Sequence, residues 1–238
     1  MRREAQAAVM LLLGVVILRI TWTDLFLNYV KEPMRPLLLT SGVFLVVLGV
    51  WSWIVATKKS AATAGSSHGH DHSKAPVIAW LMMLPVAAIF LIAPPPLGAD
   101  AAERDSGVQP LAEVPTANFP PLPDTDPVTI DLADYSLRAI YDNGQTLEGR
   151  TIVLEGFVTP NDDGGWYLTR FVSSCCAADA SAVKVEIQDA PAPPVDQWVA
   201  VTGRYTPSPA ADAEATPPPA AFISESLTVI DPPKDTYL

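Results

Sequence analysis

Three scarcities bound this chain. Only two of its 238 residues are cysteine, and they are adjacent, Cys175 and Cys176. No residue separates the thiols, so the C-x-x-C spacing of thiol oxidoreductases is absent. No histidine follows His72, which removes Ser-His and Cys-His nucleophile chemistry from the larger, carboxyl-terminal part. Basic residues are also scarce there. Residues 100–238 carry 22 Asp and Glu against 7 Lys and Arg, whereas residues 1–99 carry 4 against 8. Phosphate backbones are bound by Lys and Arg, so this balance excludes nucleic acid as a partner. The chain reads as a non-enzyme with two chemically distinct halves.

The first half, residues 1–93, holds three long apolar stretches. Leu37–Ala56 has no charge over 20 residues, enough helix to cross a bilayer core of about 30 Å. Trp51 and Trp53 near one end suit a membrane interface. Val77–Ala93 is at the lower length limit for a span; Pro85 should kink it and Pro94, Pro95 and Pro96 end it. The first stretch, about residues 5–29, is interrupted by Arg19 and Asp24. As a tilted span it would turn both groups toward other helices; alternatively Arg19 snorkels to the surface. A signal peptide fronted by Arg2 and Arg3 is the other reading of this stretch. Lys58, Lys59 and Lys74 lie between the second and third spans. Positive residues favour the cytoplasm, which places the amino terminus and this loop inside and the acidic part outside, in a multi-pass plasma-membrane protein.

All three histidines fall in the loop 57–76, as His68, His70 and His72. Imidazoles at alternate positions on a Gly/Ser segment can wrap a divalent transition metal. The spacing is not that of a rigid structural zinc site, so the expected binding is weak and exchangeable. A solvated polar linker is the plain alternative.

Residues 94–127 form a Pro- and acid-rich linker, expected to be extended. Order should resume over 128–238. Leu132, Tyr135, Ala139 and Ile140 recur at helical spacing before Asn143-Gly144, which predicts one short helix. Five strand signals follow: Thr151–Thr159, Trp166–Ser174, Ala182–Asp189, Gln197–Thr206 and Ala221–Ile230. Glycines at Gly156 and Gly203, where the chain must bend, point to a small closed barrel of the OB type. "APAPPV" leaves no room for a helix between strands three and four. A small β-sandwich is the alternative. The fold class is therefore α+β: about three transmembrane helices, then a small all-β, OB-like barrel with one short helix.

The pattern "LEGRTIVLEGFV", "LTRFVSSCCAADA", "WVAVTG" and "IDPPKDTYL", after a membrane half with a His-containing loop, resembles the YcgQ-type family over nearly the full length. The most specific piece is Arg170-Phe171 followed by Cys175-Cys176-Ala177-Ala178-Asp179-Ala180. The histidine run is shorter than the tracts of some members. The resemblance implies a bacterial membrane protein that serves as one subunit of a two-component permease, beside a multi-span permease subunit. Three short spans do not readily form a transport path alone, which also implies a larger partner or a homo-oligomer in the lipid membrane.

Outside the cytoplasm thiols tend to oxidise. Cys175 and Cys176 could close a strained eight-membered ring that works as a redox switch. Reduced, they could share a soft ion, with Asp179 as third ligand and Arg170 in support. They could also be buried structural residues, or link to a partner. Asp179 alone could cap a turn, with Arg170 merely pairing to it. The expectation carried forward is an accessory permease subunit whose barrel passes an ion or small solute through Cys175, Cys176 and Asp179. The rival is an envelope adaptor with structural or redox cysteines.

Overall fold

The first long apolar stretch becomes helix α1, Arg3–Trp22, and stops seven residues short of the predicted end. Three local features stop it. Thr21 and Thr23 return their hydroxyls to the carbonyls of Ile17 and Arg19, and Asp24 takes a left-handed backbone with φ 58°. Two short 3₁₀ turns, Leu25–Asn28 and Glu32–Met34, lead into α2, Arg35–Ala62. The computed structural model describes residues 3–62, 95–105, 119–161, 164–208 and 219–238; the third predicted span lies outside them, as do residues 63–76 of the predicted histidine loop, whose first six residues instead continue α2.

Helices α1 and α2 run antiparallel. Gly14 abuts Val46 and Gly42, Gly42 meets Leu18, and Gly49 meets Leu11. A side chain at any of the three would collide with the facing helix, so small residues set the close approach. The apolar side chains away from this seam face outward. Leu37 is 66% exposed, Phe44 62% and Trp51 69%. Among the described residues, one helix, Glu32–Lys58, is long and apolar enough to cross a membrane, and Gln6–Trp22 is a shorter apolar helix. A signal sequence near the amino terminus meets the same length and composition requirement.

The second unit, Pro96–Leu238, is built on six strands. These are β1, Val128–Thr129; β2, Ile152–Pro160; β3, Trp166–Val172; β4, Ser181–Gln188; β5, Trp198–Thr206; and β6, Ala220–Val229. All five predicted strands are present, with ends shifted by at most two residues; among the described residues only the two-residue β1 was not foreseen. The circuit runs β2-β3-β4-β6-β5 and returns to β2, which closes a five-stranded barrel. β4 and β6 pair in parallel, and the other neighbours in the circuit are antiparallel. Gly203 marks the β5–β6 register shift, where a Cβ would lie 1.9 Å from the Ile223 carbonyl oxygen. Gly156 lies close to the Thr169 carbonyl in the same way.

Period-two alternation fills the barrel. Leu154, Val158, Leu168, Val185, Val199, Val201 and Phe222 point inward and are fully buried or nearly so. Each such side chain stabilises the fold by about 1.5–3 kcal/mol through removal from water. Helix α4, Leu132–Tyr141, packs Leu132 and Tyr135 into this core. Its amino end is capped by the Asp131 carboxylate, which accepts the Asp134 amide at 2.6 Å. Asn143 and Gly144, both at positive φ, end it as the sequence predicts. The Tyr135 hydroxyl donates to the Ala221 carbonyl inside the core, and its ring meets Phe222 edge-on at 5.4 Å. Between β4 and β5 there is no helix.

Part of the predicted linker is not extended. Residues 99–104 form helix α3, Ala99–Arg104, with Ala99 and Ala102 buried. Ala102 packs into a second apolar cluster with Phe157, Phe171, Ala182, Trp198 and Tyr237. Two carboxylates fasten the segment to the barrel. Asp196 accepts the Ala99 amide and Asp105 accepts the Ala182 amide, each at 2.6 Å. Composition alone argued for an open tether; the burial of alanines against aromatic rings overrides it.

Candidate functional site

Strand β3 ends at Val172 and β4 starts at Ser181, so the two cysteines lie in the connection between paired strands. The start of this loop is held by the end of the chain. The Leu238 amide donates to the Phe171 carbonyl at 2.8 Å, and Tyr237 bridges Phe171 in parallel.

Within the loop the organising group is Asp179. Its Oδ2 accepts the amides of Ser174, at 2.9 Å, and Cys175, at 3.1 Å; its Oδ1 accepts the amide of Cys176 at 2.9 Å. The backbone thus wraps around one carboxylate, and a 3₁₀ turn, Ala177–Asp179, brings the Asp179 amide back to the Cys176 carbonyl at 3.1 Å. These amide donors favour the ionised form, so Asp179 is held below the ordinary aspartate range, with the Cys176 amide the largest cause.

This wrapping aims both thiols the same way. The two Sγ atoms are 3.6 Å apart and unbonded, with Cys175 exposed and Cys176 half-buried. The Cys175 thiol is raised above its ordinary value, first by its hydrogen bond to Cys176, then by desolvation and the Asp179 charge. Ligand atoms of Cys175, Cys176 and Asp179 all lie within 4.8 Å of one another, the one such group among the described residues. The three residues singled out from sequence are therefore brought together. The reading of the cysteines as fully buried structural residues is not what the fold shows.

Arg170 is directed elsewhere. Its guanidinium donates to the Asp235 carbonyl at 3.1 Å and lies 5.5 Å from the Trp198 ring centroid. Burial lowers its pKa, while Glu155, Asp235 and Asp131 act in the opposite sense. No ion pair joins it to Asp179, which instead accepts three backbone amides. Arg170 supports the loop indirectly, by holding residues 235–238 beside β3. That role was not legible in sequence, because 65 residues separate Arg170 from Asp235.

In the helical unit, Asp24 pairs with Arg35, and the Arg35 guanidinium lies 5.1 Å from the Phe26 ring centroid. The pair closes the turn between α1 and α2. Asp24 thus lies past the end of α1, not within it as the predicted stretch 5–29 had it, and its carboxylate faces the first residue of α2. Arg19 is in the last turn of α1, on its exposed side. His68, His70 and His72 lie outside the described residues.

No curated protein and no solved structure matches this chain. Two family models do, and their boundary falls between residues 107 and 119, so the N-terminal match takes in helix α3, which packs with the barrel unit. The DUF1980 N-terminal domain matches residues 5–107, and the DUF1980 C-terminal domain matches residues 119–238. The match agrees with the YcgQ-type resemblance of the cysteine segment. Among the described residues an apolar helical hairpin precedes a barrel with two adjacent cysteines, and the chain belongs to the DUF1980 family.

Proposed function

We propose that this protein is an accessory membrane subunit of a bacterial permease, passing a metal ion or small solute to a multi-span partner through its barrel. The observation that carries the reading is the pair of thiols, Cys175 exposed and Cys176 half-buried, with sulfurs 3.6 Å apart in a loop that wraps around one carboxylate. Soft thiolate donors in an open, pre-shaped loop suit capture and release of a thiophilic ion. The strand circuit, with its parallel β4–β6 pairing, supports the OB-like reading of the barrel. The outward apolar face of α2 supports a place in the lipid, with the third span and a homo-oligomer or permease partner completing the membrane part. The lysine distribution supports a cytoplasmic amino terminus and an extracytoplasmic barrel. The histidine loop is a secondary, cytoplasmic metal contact in this scheme.

The rival, an envelope adaptor with structural cysteines, draws on the turn around Cys176, whose side chain and backbone both take part in capping it. The two separate in cells. Deletion of the gene should change the cellular content of a thiophilic metal, as elemental analysis reads it. The wild-type gene should restore the content, and a Cys175→Ser/Cys176→Ser gene should not. Unchanged metal content in the deletion strain, or full restoration by the double variant, contradicts the permease reading.

A further inference from the structure

Asp179 and the two cysteines do not have equivalent roles. A carboxylate has about four lone-pair positions. Three on Asp179 are taken by the amides of Ser174, Cys175 and Cys176, at 2.9–3.1 Å. Its Oδ2 is doubly engaged, and only one position on Oδ1 is left. To bind an ion strongly, Asp179 would have to surrender the bonds that shape the loop.

The sulfurs are less committed: the Cys176 Sγ accepts the Asp179 amide, and a thiolate has lone pairs enough to accept that bond and still ligate an ion. For metal–sulfur bonds near 2.3 Å, sulfurs 3.6 Å apart subtend an angle of about 100° at the ion. That is close to the tetrahedral angle. A straight S–M–S arrangement would need a separation of about 4.6 Å. The spacing therefore matches a d¹⁰ divalent ion with tetrahedral preference, and not a linearly coordinated monovalent one. Solvent exposure at Cys175 leaves the remaining coordination positions open to water or to a donor from a partner.

We infer that Cys175 and Cys176 form a two-thiolate clip for a zinc-like divalent ion, that Asp179 positions the clip without ligating, and that two coordination positions stay open for transfer. This rests on the proposal that the loop is an ion-contact site. On binding, two S–H bonds release their protons to solvent and two metal–sulfur bonds form, with no change in oxidation state.

The test uses the full chain, reduced and in detergent, with His68, His70 and His72 replaced by alanine so that only the clip contributes. Cadmium(II) alone is the probe. One cadmium per chain should bind with a thiolate-to-metal absorption band. Cys175→Ser and Cys176→Ser should each weaken binding at least tenfold, and the double substitution should abolish the band. Asp179→Asn should weaken affinity a few-fold yet leave the ¹¹³Cd chemical shift of the bound ion where the parent has it. A merely structural defect would not preserve that shift, and a lost oxygen ligand would move it. A missing band in the parent, a band that survives loss of both cysteines, or a moved ¹¹³Cd line in Asp179→Asn overturns the inference. The two proposals fail separately: unchanged metal content in a deletion strain sinks the permease reading alone, whereas absent cadmium–thiolate absorption sinks only the clip.

Discussion

The two units of this chain use apolar side chains in opposite directions. In the barrel, Leu154, Leu168 and Phe222 turn inward and have no exposure. In the hairpin, the contact between helices is made partly by glycines, while Leu37, Phe44 and Trp51 are turned out. A protein dissolved in water buries its large apolar groups; a contiguous outward set marks an interface with lipid or protein. The same residue types thus signal a core in one unit and a contact surface in the other, and burial alone does not say which.

Substitutions can break this comparison, beginning with the barrel core. Leu154→Ala empties a fully enclosed position and should cost about 2–5 kcal/mol, read by denaturant unfolding of the solubilised chain. A charge sharpens the contrast further. Phe44→Arg, at an exposed position of α2, should cost about 2.5–3.5 kcal/mol in a membrane-insertion assay if lipid surrounds it. Val195→Arg, at a similarly exposed barrel position, should change stability by less than about 0.5 kcal/mol. Equal, small effects at both sites would place the hairpin in water. Tyr135→Phe removes the buried hydroxyl bond to Ala221 and leaves an acceptor unmet. It should cost about 1–3 kcal/mol, seen as a lowered unfolding midpoint.

The smallest effect concerns pH. Asp179 has its folded pKa below that of the unfolded chain. Its contribution to stability is present above the unfolded value and is lost as pH falls through the folded one. Carboxyl NMR should find its midpoint below that of an ordinary aspartate, and Cys175→Ser should leave most of that depression in place, since the donors are backbone amides.

Much of the barrel was legible because its signals are local. Alternation gave the five strands, Asn143-Gly144 the helix end, and Gly156 and Gly203 the bends. The adjacent cysteines with Asp179 were also visible, including the turn-capping possibility for the carboxylate. What could not be read depends on distant pairings. Helix α3 has only alanines and charges, and its burial comes from Phe157, Phe171 and Trp198, which share no local pattern with it. The link from Asp105 to Ala182 spans 77 residues. Arg170 looked like a partner for Asp179 because both flank the cysteines, but the backbone outcompetes a long side chain for that carboxylate. The α1 end was misplaced because hydropathy continues through Leu25 and Phe26, while the threonine hydroxyls and the Asp24 conformation stop the helix first.

The central claim, a paired-thiol loop open on the extracytoplasmic side and able to hold an ion, is tested most directly by labelling intact cells with a membrane-impermeant maleimide, with and without prior zinc. The account predicts labelling of Cys175 and Cys176 without permeabilisation, and protection by zinc. Labelling only after the cells are opened, or labelling that zinc does not slow, would contradict it.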